Sequence, residues 1–433
     1  MTFEMHRRSF LSATASAFAA LAASGCSTVQ RRSTVGYGPL VVDPAGLIDL
    51  PAGFSYRVIS QLGDRMSDGF TVPDAADGMG CFDLGGGKLA LVRNHELMPG
   101  KDGGGVAGPA FDTVARSLVP LPGGTTTIVL DARTMAVEKQ YRSLAGTIRN
   151  CAGGVTPWGS WLTCEEAPIK ADGKIANKDH GWTFEVPARA QGLVDPVPLK
   201  SMGRFNHEAA CVDPATGYVY QTEDRGDGLL YRFIPNVPGQ LAKGGRLQAL
   251  ALTDGIGDTR NWGGVTIAPR SWHGVRWVDL TDVEAPADDL RTRGAAAGAT
   301  VFARGEGIWM GDGELYFTCT NGGTAKLGQI YRLDTTGAGR LQLFFESTDP
   351  NQFNYGDNLT VARWGDLIVC EDQYTDEVTN HLRGITPEGV AYPLALLRAQ
   401  TELAGACFSP DGRTLFVNAY SPAKTLAITG PWI

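Results

Sequence analysis

The chain has 433 residues, 38 of them basic and 46 acidic, for a formal charge of −8. That balance excludes the basic surface that nucleic acid binding needs, and the length allows one large core or two domains. Glycine, at 56 residues, falls mainly at the borders of short strand-like segments, which predicts an all-β protein with many tight turns.

Residues 1–26 carry Arg7-Arg8, then Ser9, Phe10, Leu11 and an alanine-rich apolar run. This is the pattern of a twin-arginine export signal. Its LAASGC ending resembles a lipobox, so Cys26 is the expected lipidated mature N-terminus; an uncleaved anchor or an ordinary signal cleaved nearby is the alternative. The expected location is the periplasm or the cell surface, with membrane attachment through the lipid. Residues 27–44 read as a tether, and 45–433 as a single β-propeller catalytic domain. Seven cysteines follow Cys26, an odd number at irregular spacing, which is a poor disulfide framework. Cys164, Cys211, Cys319 and Cys370 lie in or beside apolar strand segments and read as small core residues.

One strand pattern recurs along the chain. GKLALVRN starts at Gly87, GSWLTCEE at Gly159, GYVYQTED at Gly217, GELYFTCTN at Gly313, GDLIVCED at Gly365 and GRTLFVNA at Gly412. Each is a glycine turn followed by about five strand residues, and three end in two acids. Six copies predict the blades of a six-bladed β-propeller with long, uneven loops; a β-sandwich or two small β domains is the alternative. In a propeller, matched strand ends converge on one axis. Glu165, Glu166, Glu223, Asp224, Glu371, Asp372 and Asn94 would then form a ring of oxygen ligands. Such a concentration of like charge calls for cations, and oxygen donors suit a hard one such as calcium. Acids that merely cap turns are the plainer reading.

Other residues bear on the same centre. Asn94-His95-Glu96 and Asn206-His207-Glu208 repeat an NHE triplet in a chain with six histidines. Strand alternation puts Asn94 and Glu96 on one face as a ligand pair and turns His95 to the other. His207 is read equally well as a packed histidine or a metal residue. Cys151, in RNCAGG, is expected in an irregular loop. Its thiolate would be a soft ligand for iron, zinc or copper; a nucleophile would need a base, and no histidine motif accompanies it. Arg304 and Glu306 stand two apart in FARGEG, as a local ion pair or as a cation holding a substrate oxygen beside an anion. Asp357 and Asn358 precede the GDLIVCED copy. No serine-nucleophile elbow, phosphate loop, dinucleotide fingerprint or HExxH zinc motif occurs.

Taken together, the twin-arginine signal, RNHE, NCAGGVTPWGSWLTCEE, GRFNHEAA, YQTED, ARGEG, GDNL and CED resemble the PhoX-type alkaline phosphatases of bacteria, in the family order and over most of the mature chain. The resemblance implies a six-bladed propeller whose central site holds ferric iron and calcium and acts on small phosphorylated substrates. It implies that Cys151 ligates iron, and that Glu166, Glu208, Glu306, Glu371 and the neighbouring acids Glu96, Glu165, Glu223, Asp357 and Asp372 coordinate iron or calcium. It also implies that Arg304 contacts phosphate. The expected activity is hydrolysis of phosphate monoesters. The alternatives are a phosphodiesterase, phosphotriesterase or lactonase of the same fold, and a non-catalytic calcium-stabilised binding propeller, which needs the carboxylates but neither Cys151 nor Arg304.

Overall fold

The six glycine-led segments are all β-strands, and all hold the same place in their sheets. They are Lys88–His95, Ser160–Glu165, Val219–Glu223, Glu314–Cys319, Leu367–Glu371 and Thr414–Ala419. Each pairs antiparallel with the strand just before it in the chain: Ala76–Gly85, Asn150–Val155, His207–Val212, Gly305–Met310, Gly356–Val361 and Leu403–Phe408 respectively. The glycine ahead of every copy has a positive φ, between 68° at Gly412 and 93° at Gly365. A side chain is disfavoured in that left-handed turn, which is why the repeat is led by glycine.

The computed structural model describes residues 35–433 except 374, 376 and 378. The export signal, Cys26 and residues 27–34 of the tether lie outside the described residues. Gly36–Ile433 form one compact unit. Its six preceding strands stand around a common axis. Ala76–Gly85 packs on Asn150–Val155, and so in turn through His207–Val212, Gly305–Met310, Gly356–Val361 and Leu403–Phe408, which returns to Ala76–Gly85. Grouped by these inner strands, the molecule is a β-propeller of six blades, numbered here from the first. The ring is locked because Ser55–Gln61, from the N-terminal side, forms the outer strand of blade 6 against Lys424–Thr429. Blade 2 has three strands. Blades 3 and 4 are joined into one sheet by Trp272–Asp279, and Ile48–Pro51 extends blade 5. The alanine-rich stretch 288–300 carries the short helix Leu290–Ala296.

The core lies between blades, where apolar strand faces stack. Leu341, Leu343, Phe317, Tyr331 and Phe302 pack between the strands of blade 4 and their neighbours in blade 3. Cys164, Cys211, Cys319 and Cys370 sit in these layers with at most 4% exposure. Among the described residues every cysteine is free. Near the axis the inner strands touch backbone to backbone: a Cβ on Gly78 would lie 2.5 Å from the Ala152 Cα, and one on Gly307 would lie 2.7 Å from the Asn358 Cα. That close approach brings the starts of the inner strands within reach of one another.

Candidate metal centre

In every blade the second strand turns its last residues toward the start of the inner strand. The register pairs are Ala76 with His95, Asn150 with Glu165, His207 with Glu223, Gly305 with Cys319, Gly356 with Glu371, and Leu403 with Ala419. Immediately beyond in blades 1 to 5, and one pair further on in blade 6, the ladders lose register in a bulge, which re-aims the side chains that follow. The exit residue of the second strand then donates its N–H to the carbonyl of the residue preceding the inner strand. Glu96 bonds Ala75, Glu166 bonds Arg149, Asp224 bonds Asn206, Thr320 bonds Arg304, Asp372 bonds Tyr355 and Tyr420 bonds Glu402, at 2.9–3.2 Å. The result is a sixfold backbone template with three side-chain positions per blade at one end of the axis. Asp77, Cys151, Glu208, Glu306 and Asp357 all hold the second position of their inner strands; blade 6 has Ala404 there.

The side chains on this template form a continuous cluster. Asp77, Glu96 and Cys151 make one group; Cys151, Glu166 and Glu208 a second; Glu208, Glu306 and Asp357 a third; Asp357, Asp372 and Glu402 a fourth. Within each group one ligand atom per residue lies within 4.8 Å of the others. The Cys151 Sγ is 3.4 Å from Asp77 Oδ2 and 3.3 Å from Glu208 Oε1. Asp77 Oδ1 and Glu208 Oε2 are buried without a hydrogen-bond partner. Burial, and then the neighbouring carboxylates, push Asp77, Glu208 and Glu306 well above the usual carboxylate range. Glu166 goes the same way, although Arg149 opposes it. Asp357 is raised to about 8 by burial and by Asp372, and burial with the acids around it raises the Cys151 thiol. So many acids in one dry space can stay ionised only if positive charge joins them.

Two arginines supply part of it. Arg149 and Arg304 both precede an inner strand and both have a left-handed φ of 49°. Arg304 forks onto Asp224 at 2.8 and 2.9 Å and reaches Glu306 at 2.7 Å. Arg149 bridges Glu96 at 2.7 Å and Glu166 at 3.0 Å. Asn206 donates to Glu166 at 2.8 Å.

Of the residues singled out in the sequence, the fold gathers Glu96, Cys151, Glu166, Glu208, Glu306, Asp357 and Asp372 in the cluster, with Arg304 at its edge. Four expected ligands are elsewhere. Glu165 points into blade 2, where it accepts the N–H groups of Ile148, Gly181 and Trp182 and meets His180 Nδ1 at 2.6 Å. Glu223 accepts from Tyr231 Oη at 2.7 Å, and Glu371 from the Asn354 N–H and Arg383 Nε. Register-paired residues face the blade interior, and only the exit residue after them reaches the axis. Asn94 donates to the Cys151 and Ala152 carbonyls at 3.0 and 2.7 Å and accepts from Trp161 at 2.9 Å. It clamps the strand that carries Cys151. Cys151 itself is in the strand Asn150–Val155, not an irregular loop. His95 and His207 are packed: His95 bonds the Asp74 carbonyl and Thr126, and His207 stacks on Phe205 at 3.6 Å. Asn358 accepts the Gly405 N–H at 2.7 Å, tying blades 5 and 6 together.

Sequence reading missed Asp77, Glu402 and Arg149. Asp77 was legible in principle. ADG, NCA, HEA, GEG and GDN share an acid or cysteine followed by a small residue or asparagine, on the inner strand where blades touch.

These features define a β-propeller with a buried acidic centre on its axis. The model of the family described as alkaline phosphatase PhoX matches residues 35–129 and 107–423, and the chain belongs to that family. The solved structure of Pseudomonas fluorescens PhoX in complex with vanadate, a transition state analogue, has the same fold. It is 20% identical, with a TM-score of 0.68 over 91% of this chain and 97% of that one. A gluconolactonase of Xanthomonas campestris is matched at 15% identity and a TM-score of 0.38, over 92% of this chain and 98% of that one. A putative 6-phosphogluconolactonase of Bacteroides uniformis is matched at 10% and 0.38, over 82% and 84%. A comparison with curated proteins finds no match.

Proposed function

We propose that the protein hydrolyses phosphate monoesters at a cluster of cations held on the propeller axis. Membership of the alkaline phosphatase family makes it a phosphatase-type hydrolase, and the vanadate complex of the P. fluorescens relative supports phosphoryl transfer as the chemistry. The observation that carries the reading is the buried cluster from Asp77 to Glu402, with Asp77 Oδ1 and Glu208 Oε2 left without protein donors. Its donor set fits the metals inferred. The carboxylates suit calcium, and the single thiol, shared by two of the groups, suits iron. When bound, the cations would neutralise phosphoryl oxygens and lower the pKa of a water for attack.

The remaining work falls to the chain. Arg304 holds a nonbridging phosphoryl oxygen, its guanidinium fixed in plane by the fork from Asp224 and by Glu306. Asn94 fixes the backbone of Cys151 through the two carbonyls it clamps. Glu208 Oε1 and Asp77 Oδ2 are the two acceptors within reach of the Cys151 thiol, and one of them takes its single proton as the thiolate forms. Export by the twin-arginine route and a lipid on Cys26 complete the proposal, supported by Arg7-Arg8 and the LAASGC sequence.

The test is elemental analysis of the full-length protein as purified, beside turnover of p-nitrophenyl phosphate and bis(p-nitrophenyl) phosphate. Iron plus calcium with preference for the monoester is expected. Calcium alone with no hydrolysis would overturn the reading, and preference for the diester would overturn its monoester part.

A further inference from the structure

The acidic centre opens on one side into a cleft of about 490 Å³ between blades 1 and 6. At roughly 30 Å³ of liquid volume per water, that is space for about sixteen waters, or one ring-sized organic group. The cleft adjoins the centre, because Glu96 lines the cleft and is a member of the acidic cluster. Its far wall is apolar: Leu62, Val72, Pro73, Leu97 and Met98. Val72 and Leu97 are buried at 1% and 3%, while Leu62 and Met98 stand at the rim, each 43% exposed.

The cleft is built rather than incidental. Its two loops are pinned by backbone bonds from Gly63 to Val72, from Val72 to Asp64 and from Thr71 to Gly104. Gly104 has φ +73°, and a Cβ there would lie 2.1 Å from the Thr71 carbonyl oxygen, so only glycine lets the loops close. The acids in the walls are already engaged. Asp74 accepts from the Ser421 hydroxyl and the Ala423 N–H, and Asp102 accepts the Gly104 N–H.

We infer that this cleft is the leaving-group subsite, and that it takes the uncharged, flat, largely apolar alcohol of an aryl-type phosphate monoester. The inference rests on the phosphatase reading. With the phosphoryl group held in the axial centre, the ester oxygen points toward Glu96 and Tyr420 and the alcohol lies on Leu97 and Met98. The wall offers an apolar face; of its acids, Asp74 is held by Ser421 and Ala423, Glu96 belongs to the acidic centre, and Asp102 lies at the exposed rim. Lys101 is the one cation lining it, and it stands at the exposed rim.

The test measures kcat/KM for phenyl phosphate and methyl phosphate with the full-length metal-loaded protein, its Leu62→Asp and Met98→Asp variants, and Val265→Asp, an exposed site outside the cleft. The ratio of phenyl to methyl phosphate is expected to fall about tenfold in each cleft variant, the scale of lost apolar contact in a specificity pocket, and to stay at the wild-type value in Val265→Asp. Equal losses on both esters would overturn the subsite while leaving the phosphatase reading intact. No hydrolysis of either ester by the wild-type protein would overturn both. A para-carboxylated phenyl phosphate preferred over phenyl phosphate, with the preference lost in Lys101→Ala, would overturn the assignment to an uncharged alcohol.

Discussion

Glu165 and Glu166 are neighbours of the same type, both buried to within 3% exposure, yet they live in different chemistry. Glu165 faces the blade and has three backbone N–H donors and His180 around its oxygens. Glu166 faces the axis, among Cys151, Glu208 and other carboxylates, with Arg149 on Oε2 and Asn206 on Oε1. The same contrast holds in blade 5 between Glu371 and Asp372; in blade 3 it is one of company, since Glu223 has Tyr231 and the Leu229 N–H on Oε2 and Arg291 at 3.8 Å from Oε1, whereas Glu208 faces Cys151 and other carboxylates. Burial therefore does not mark a ligand; the supply of protein donors does. A buried carboxylate with a full set of N–H and O–H partners is a structural group. One left facing other carboxylates needs a charge from outside the chain.

The contrast can be broken or sharpened by experiment. The largest effect is expected from removing cations. Exhaustive chelation should abolish hydrolysis and lower the melting temperature, because a ligand bound only by the folded chain contributes about 2.7 kcal/mol at a hundred times its Kd. A chelated protein with unchanged activity and melting curve would show the axis to need no cations. Next comes Arg304→Ala, expected to retain metal and lose roughly a hundred- to a thousandfold in kcat. Arg304→Lys should recover only part of this, since lysine lacks the planar fork; wild-type turnover in Arg304→Ala would remove the phosphoryl role.

The two cysteines give a smaller, more discriminating comparison. Cys151→Ala should lower iron content while calcium is partly retained, and Cys164→Ala should keep the metals and cost on the order of 1 kcal/mol in stability. Metal analysis and denaturant melts of the pair decide it. The smallest effect concerns pH. Burial would lower the His180 pKa, but Glu165 and Asp112 outweigh it and the net shift is upward. The ion pairs with His180 therefore stabilise fully below about pH 6.5 and fade as pH rises through the higher folded value. The melting-temperature gap between wild type and Glu165→Gln should narrow by a few degrees on going from pH 6 toward pH 9. A gap that widens would reverse the sign.

The blades were readable because their second strands carry a local signature, a positive-φ glycine followed by strand residues, that needs no tertiary knowledge. The exit acids Glu166 and Asp372 came with it. Which acid of each pair reaches the axis was not readable. Period-2 alternation turns Asn94 and Glu96 toward the same neighbour, Cys151, but Asn94, still inside its strand, meets the Cys151 backbone, and only Glu96, past the strand end, joins the side-chain cluster. Asp77 stands alone in its segment, and Glu402 sits where blade 6 has no acid on its inner strand. Asp77 joins Glu96 and Cys151 where blades 1 and 2 meet, and Glu402 joins Asp357 and Asp372 where blades 5 and 6 meet, so both enter the cluster only through contacts between blades. Arg149 escaped notice because Cys151 drew attention to the residue two places on.

The most direct measurement compares two glutamates of blade 3, Glu208→Gln and Glu223→Gln, for iron and calcium per folded chain by elemental analysis, with circular dichroism confirming the fold. Glu208 joins two groups of the cluster, while Glu223 is held by Tyr231 within the blade. Glu208→Gln should lose at least one metal equivalent, and Glu223→Gln should keep the wild-type complement. Equal metal content in the two folded variants, or loss from Glu223→Gln alone, would contradict a cation site built from the axial carboxylates.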